Sequence, residues 1–243
     1  MEKQNNFSQE AWFQEYQAQT QERLKRNLAY MQQGVRFADI QSAYIDETVR
    51  IGAGTLIGPC VTLEGGTVIG RDCVIRQNTR IRDSVLADNV EVESSVILES
   101  RIGSGTTVGP FAYLRPHTAV GAGCKVGDFV EMKNSSFGDG SKAAHLTYVG
   151  DADVGKGVNL GCGVVFVNYD GTNKYRSQVG DDVFIGCNSN LVSPVSIGDG
   201  AYIAAGSTVT EDVETDALYI ARSRGIQKKG WVSAKGIWPK KRG

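Results

Sequence analysis

Residues 51–81 read IGAGTLIGPCVTLEGGTVIGRDCVIRQNTRI, and Ile51, Ile57, Leu63, Ile69, Ile75 and Ile81 stand six apart without a gap. Neither the 3.6-residue period of a helix nor the alternation of a simple strand fits that spacing. A coil of three short strands does. Each strand turns one aliphatic side chain inward, and Gly, Asn and Asp occupy the turns, where a positive φ costs them least. Working outward, Ile45 precedes the run, and after a phase slip the spacing resumes with Val90, Val96, Ile102, Val108, Leu114, Val120, Val126 and Met132. A second break is followed by Val179, Ile185, Leu191, Ile197, Ile203 and Val209. With three hexads to a coil, positions 45 to 210 predict a solenoid of roughly nine coils sharing one apolar column.

The totals agree with this reading. The chain has 243 residues, 41% of them apolar, and 30 glycines against five prolines, a balance that asks for many tight turns. A formal net charge of −1 gives no field that would draw nucleic acid or an anionic membrane. No apolar run approaches the roughly 20 residues that span a bilayer, and MEKQNNFSQEAW lacks the apolar stretch of a signal peptide. The five cysteines (Cys60, Cys73, Cys124, Cys162, Cys187) are scattered, with no CxxC pair, so neither a disulfide framework nor a zinc site is favoured. A reducing, cytoplasmic setting is expected.

Two segments depart from the repeat. Residues 9–33 are charged and Gln-rich, with Leu24, Leu28 and Met31 at i, i+4 and i+7 and Gly34 as a stop, which predicts one amphipathic helix. The basic tail carries Trp231 and Trp238, which suit either a solvated tail or an arm anchored on a neighbouring subunit. The expected division is an N-terminal helix and arm over 1–36, the solenoid over 37–214 and a C-terminal tail over 215–243.

A solenoid does not require Lys, His, Tyr or Arg at particular places, so such residues stand out where the repeat is interrupted. YLRPHTAV supplies Arg115, DFVEMKNS supplies Lys133, and SKAAHLTYVGD supplies His145 and Tyr148. KGVNLGCG supplies Asn159, and FVNYDGTNKYRS is an insertion. Arg115 and Lys133 are 18 residues apart, one full coil, which places two cations side by side as a cradle for phosphate. His145 changes charge near neutral pH and is a candidate general base, against the alternative of a merely exposed histidine. His117 lacks comparable company and reads as surface.

The run from GPFAYLRP through HLTY and NYDGTNK to AAGSTVTEDV closely resembles the acetyltransferase domain of a bifunctional bacterial enzyme, the N-acetylglucosamine-1-phosphate uridyltransferase / glucosamine-1-phosphate acetyltransferase. The resemblance is strong over residues 108 to 231 and weaker over 20 to 107, and HLTY and NYDG(T)NK are far more specific than the six-residue repeat. The nucleotidyltransferase domain's Gly-rich loop has no counterpart here, so no uridyltransferase activity is expected.

The resemblance implies a left-handed parallel β-helix of hexapeptide repeats, an all-β solenoid with an N-terminal helix and an extended C-terminal tail. It implies direct attack of a glucosamine 1-phosphate amine on acetyl-CoA, with His145 as general base, no acyl-enzyme and no metal. Arg115 and Lys133 would take the sugar phosphate, with Tyr148, Asn159 and Lys174 around the sugar. Cys162, Asn168, Tyr169, Cys187, Ala205 and Arg222 would contact acetyl-CoA, a backbone N–H near Cys162 would meet the oxyanion, and the family is a homotrimer with sites between subunits. The sequence departs from the family at Ala144, where Gly is usual, at Gly161-Cys162-Gly163-Val164, where GAGT is usual, and at Cys187, where Ser is common. Those departures bear on CoA contact more than on the base or the sugar. Another phosphorylated or nucleotide-linked amino sugar, or a non-catalytic binding solenoid, are the alternatives. A metal-dependent carbonic anhydrase on this scaffold needs more than the two histidines present.

Overall fold

The computed structural model describes residues 9–237. Three parallel sheets of eleven, ten and nine strands wrap a single apolar core, about ten coils in all and one more than the spacing predicts. Successive strands go to successive sheets, so a strand pairs with the one three further along the chain, except at the end, where Tyr202–Ile203 pairs with Leu218–Tyr219, two strands on. The first sheet begins at Arg36–Phe37, the second at Tyr44–Ile45 and the third at Arg50–Ile51. The coil is a left-handed parallel β-helix.

Ile51, Ile57, Leu63, Ile69, Ile75 and Ile81 are buried as expected. The phase slip is different in detail. The inward residues after Ile81 are Leu86, Val92, Ile97 and Ile102, the last three paired in register with Val108, Leu114 and Val120. Val90 is buried, but at the turn before its strand, and Val96 faces partly outward. The cause is that some steps of the repeat are five residues long. Each such step drops one turn residue, and a neighbouring apolar residue takes the inward place.

A second interior column was not visible in the spacing. Small hydroxyl residues, among them Thr55, Ser95, Thr106 and Ser135, are buried at the turns. Thr106 Oγ1 donates to the Gly121 carbonyl at 2.7 Å and accepts the Cys124 N–H at 3.0 Å, so one side chain satisfies backbone groups of the next coil.

The N-terminal helix, Gln9–Gln32, ends at Gly34, whose φ of 91° is left-handed. Its packing face differs from the expected one. Leu28 and Met31 are exposed, whereas Asn27 and Tyr30 are buried. Asn27 Nδ2 donates to the carbonyls of Ile40 (3.0 Å) and Ala43 (3.1 Å), Arg26 Nη1 to that of Ile45 (2.6 Å), and the Tyr30 hydroxyl to that of Val49 (2.6 Å). The first coil has no preceding coil to take these carbonyls, so polar side chains cap it where an apolar stripe could not.

At the other end the last strand is Leu218–Tyr219, followed by irregular chain and a short helix, Trp231–Ala234, with Trp231 exposed. Trp238 lies outside the described residues. No helix among the described residues is long and apolar enough to cross a membrane.

Candidate active site

The turn between the first and second sheets stacks chemically distinct residues on successive coils. Asp128 ends the strand Lys125–Asp128 and His145 ends the strand Lys142–His145, and the two are register partners. His145 Nδ1 lies 2.5 Å from Asp128 Oδ1. The hydrogen bond from His145 is the first cause holding the Asp128 carboxyl below its usual range. An ionised carboxylate only accepts, so in the neutral ring the proton sits on Nδ1 and Nε2 keeps its lone pair. The His145 side chain is 56% exposed in the single chain. Ala144 sits beside it, its carbonyl packed on the preceding coil at Gly127, where a Cβ would come within 1.9 Å.

Register carries the same turn onward. Leu160 pairs with Ile185 and Ile185 with Ile203, so Cys162, Cys187 and Ala205 occupy one column that continues from His145. No acceptor among the described residues takes the Cys162 N–H. Val164, in the same turn, is buried. Asn159 faces outward two residues before Gly161, between Lys142 and Phe184 in register. Arg222 is exposed just past the last coil.

The outer surface of the second sheet carries the cations. Tyr113, Glu131 and Tyr148 are successive register partners. Arg115 Nη1 donates to Glu131 Oε1 at 2.8 Å, and its guanidinium lies 6.0 Å from the Tyr113 ring centroid. One coil on, Lys133 Nζ lies 3.4 Å from Asp151 Oδ2, so Arg115 and Lys133 are indeed neighbours across coils. Lys133 pairs in register with Gly150. Glycine is required there by close approach: a Cβ would lie 2.4 Å from the Tyr148 hydroxyl oxygen, so the tyrosine ring folds over bare backbone.

Asp151 sits at the turn from the second sheet to the third, 6% exposed, with a left-handed φ of 50°. It accepts from Asn134 Nδ2 at 2.6 Å, from Asn168 Nδ2 and from Lys133. Burial pushes its carboxyl up, but the two amide donors and the Lys133 charge outweigh burial and hold it below the ordinary range. Lys174 completes the cluster. Its ammonium is pushed below its usual value first by the neighbouring Lys133 side chain and that like charge, then by partial desolvation, with Arg115 adding and Asp151 opposing.

Lys174 belongs to the loop 168–176, which inserts between the second and third sheets. Tyr169 and Lys174 form an antiparallel bridge. Asp170 Oδ1 accepts the N–H groups of Thr172 and Asn173 at 2.7 Å each, and Arg176 anchors the exit on Asp153 and on the Asn134 carbonyl. Within one chain, Asn168 and Tyr169 therefore lie at the Lys133 edge, apart from the Cys162–Cys187–Ala205 column. The sequence reading grouped the two sets together. It missed Asp128, Asp151, Asn134 and Glu131. The available signal was a spacing of one coil from a singled-out residue: 17 residues from Asp128 to His145 and 18 from Lys133 to Asp151. His117, exposed and left-handed at φ 64°, joins neither group.

The fold and this face define a class, a hexapeptide-repeat β-helix protein. The bacterial transferase hexapeptide family (six repeats) matches residues 99–134 and 176–211, and the GMPPB C-terminal domain matches residues 40–115. An UDP-N-acetylglucosamine acyltransferase from Arabidopsis shares the fold, with a TM-score of 0.52 and 17% identity over 81% of this chain and 76% of that one. Within the class, the chain is similar to the bifunctional protein GlmU, over a length consistent with that protein's C-terminal acetyltransferase domain. It is 50% identical to that of Alkaliphilus metalliredigens over 92% of its own length and 53% identical to that of Clostridium kluyveri over 87%. The chain spans about half the length of these relatives, 49% and 46% respectively.

Proposed function

We propose that the chain is an N-acetyltransferase that moves the acetyl group of acetyl-CoA to the amine of glucosamine 1-phosphate. The observation that carries this reading is the pairing of two sites across one sheet. A histidine oriented by a carboxylate stands at one edge, and three cations (Arg115, Lys133, Lys174) converge toward the other against two carboxylates (Glu131, Asp151). The strand between the edges, Tyr148–Gly150, is about 10 Å long at 3.3 Å per residue, a width that lysine and arginine side chains can reach across. The cations suit a phosphate dianion, Tyr148 and Asn159 suit sugar hydroxyls, and His145 suits the amine.

In the reaction, His145 Nε2 removes a proton from the substrate ammonium. The free amine attacks the thioester carbonyl, and the tetrahedral oxyanion faces the Cys162 N–H, an interaction typically worth about 3 kcal/mol. Collapse expels CoA as a thiolate, which takes up a proton from the new amide nitrogen or from the imidazolium. Asp128 keeps the proton on Nδ1 throughout. Cys162, Cys187 and Ala205 flank the thioester arm, and Arg222 with the basic tail suits the CoA phosphates.

A base as open as His145 needs cover, because the tetrahedral intermediate is stabilised best where water is excluded. Exposed Phe111 and Phe129 stack 5.6 Å apart along the same turn column, and Leu146 beside His145 is exposed too. This supports a homotrimer in which a neighbouring copy covers the corner, and in which the exposed Tyr169 loop of one copy meets the Cys162–Cys187 column of another. A cytoplasmic setting fits acetyl-CoA as cosubstrate.

The test is release of free CoA from acetyl-CoA on addition of glucosamine 1-phosphate, compared with a panel of other phosphorylated and nucleotide-linked amino sugars by kcat/KM. Sugar-dependent release with glucosamine 1-phosphate preferred is expected. Preference for another amino sugar reassigns the acceptor, and no release with any of them removes the enzymatic reading.

A further inference from the structure

We propose that Cys162 and Cys187 form a dithiol site that closes reversibly to a disulfide when it meets a hydroperoxide or a small-molecule disulfide, shutting the corner to the thioester. The closing of the corner rests on the acetyl-transfer reading above. The dithiol itself rests on geometry. The two residues hold the same turn position on adjacent coils, since Leu160 pairs with Ile185 and Gly161 N–H donates to the Ile185 carbonyl at 2.8 Å. The Asn188 N–H donates to the Cys162 carbonyl at 2.8 Å, closing the turn on the other side. A Cβ on Gly161 would lie 3.0 Å from the Cys187 Cα, so the two turns are in close contact.

Adjacent coils stand about 4.8 Å apart, inside the range of about 4.4–6.8 Å between Cα atoms that a disulfide spans. What the side chains do at this position is visible earlier in the same column. His145 and Asp128 occupy it on two adjacent coils, and their side chains meet at 2.5 Å. Cys187 is exposed and Cys162 half-buried, and both are free thiols. The other three cysteines lack such a neighbour. Cys60 is at an exposed turn, while Cys73 and Cys124 are buried with their thiols directed at the Ala87 and Gly138 carbonyls.

The chemistry balances. The Cys187 thiolate attacks a peroxide oxygen, giving a sulfenic acid and water, and the Cys162 thiol then attacks that sulfur, forming the S–S bond and releasing a second water. Two thiol hydrogens and two electrons go to one O–O bond. With a small disulfide, two exchange steps give the same bond and release two small thiols. The linked turn replaces two separate side chains with a bridge across the surface that the acetyl-CoA arm must follow.

The experiment exposes the reduced full chain to hydrogen peroxide or oxidised glutathione, then maps non-reducing digests by mass spectrometry while following acetyl-CoA binding and CoA release. An intrachain Cys162–Cys187 peptide two hydrogens lighter is expected, with binding and turnover falling by about tenfold or more and returning with dithiothreitol. In Cys187→Ser and, separately, Cys162→Ser, the ratio of turnover after oxidant to turnover before it should stay near one. The proposal is overturned if both thiols stay open to alkylation, if the link joins other cysteines or two chains, or if it forms and acetyl-CoA binds as before. Should the reduced protein release no CoA with any amino sugar, the functional reading fails, and the digest still decides whether the dithiol closes.

Discussion

Where the strand Val74–Ile75 turns toward the second sheet, Gln77 Nε2 donates to Glu93 on the next coil at 2.9 Å. Three coils further on, the same corner holds His145 against Asp128 at 2.5 Å. The backbone is nearly the same at the two places, and only one of the pairs holds a side chain with a lone pair that can act as a base. The second sheet repeats the lesson with charge. On its early coils Arg80 pairs with Glu64, and Arg82 with Asp83 and Glu99, leaving two cations among three carboxylates. On its later coils Arg115, Lys133 and Lys174 gather against Glu131 and Asp151, three cations to two carboxylates. Ladders of exposed ion pairs are ordinary surface for this scaffold, each worth about 0–1 kcal/mol. The candidate site is where the excess along the ladder changes from carboxylates to cations.

The strongest way to break that comparison is to remove the base. His145→Ala should lower kcat by about a hundredfold to ten-thousandfold, the range of a general base. The exposed side chain carries little packing, so the melting temperature should hardly change. Gln77→Ala is the matched control and should leave turnover alone. Equal turnover in wild type and His145→Ala would place His145 with Gln77 as surface.

Asp128→Asn tests whether the carboxylate matters. Asparagine keeps the shape but can donate to Nδ1, which moves the imidazole proton to Nε2 and removes the lone pair facing the amine. Turnover should fall by about tenfold to a hundredfold, with KM for the sugar phosphate little changed, and Asp128→Glu should recover part of it. A rise in KM with kcat intact would mean that Asp128 only shapes the surface.

The different legibility of fold and site follows from how each is encoded. The solenoid is written many times over, so Ile51 to Ile81 alone announce it. The slips were hard to place because 90–98 offers apolar residues at 90, 92, 96, 97 and 98, and only pairing with the coils on either side selects Val92 and Ile97. Arg115, Lys133 and His145 were visible because a solenoid has no use for them. Asp128 and Asp151 were hidden because carboxylates are common at turns, and their meaning lies in a partner one coil away. The N-terminal helix misled for a related reason: its task is to donate hydrogen bonds to orphaned carbonyls, so Asn27 and Tyr30 pack where Leu28 and Met31 were expected.

Asp151→Asn probes the buried side of the charge cluster. The change weakens the acceptor for Lys133, Asn134 and Asn168 together and should cost about 1–3 kcal/mol at pH 7, read from urea midpoints. The sign with pH follows from the lowered carboxyl. Its folded pKa is below the unfolded value near 3.9, so its stabilisation is complete above about pH 4 and is lost as pH falls through the folded value. Wild type and variant should therefore converge in acid. Arg80→Ala, on the early exposed ladder, should hardly move the midpoint at either pH. A gap that widens in acid would mean Asp151 is not held ionised by its donors.

The smallest effect separates scaffold from site at a single backbone conformation. Asn78, Leu146 and Asn188 all take left-handed φ values, 54°, 48° and 54°, at the turn from the first sheet to the second. Asparagine adopts that region with little strain, whereas for leucine it costs about 1–2 kcal/mol. Leu146 is also exposed, so the single chain gains little from burying it. Leu146→Asn should therefore stabilise the folded chain by up to about 1 kcal/mol. If Leu146 is kept because it covers His145 where two copies meet, the same change should lower kcat/KM for the amino sugar, and strain and activity would be lost together. A variant that is more stable and equally active would make Leu146 an ordinary turn residue, no more tied to the chemistry than Asn78.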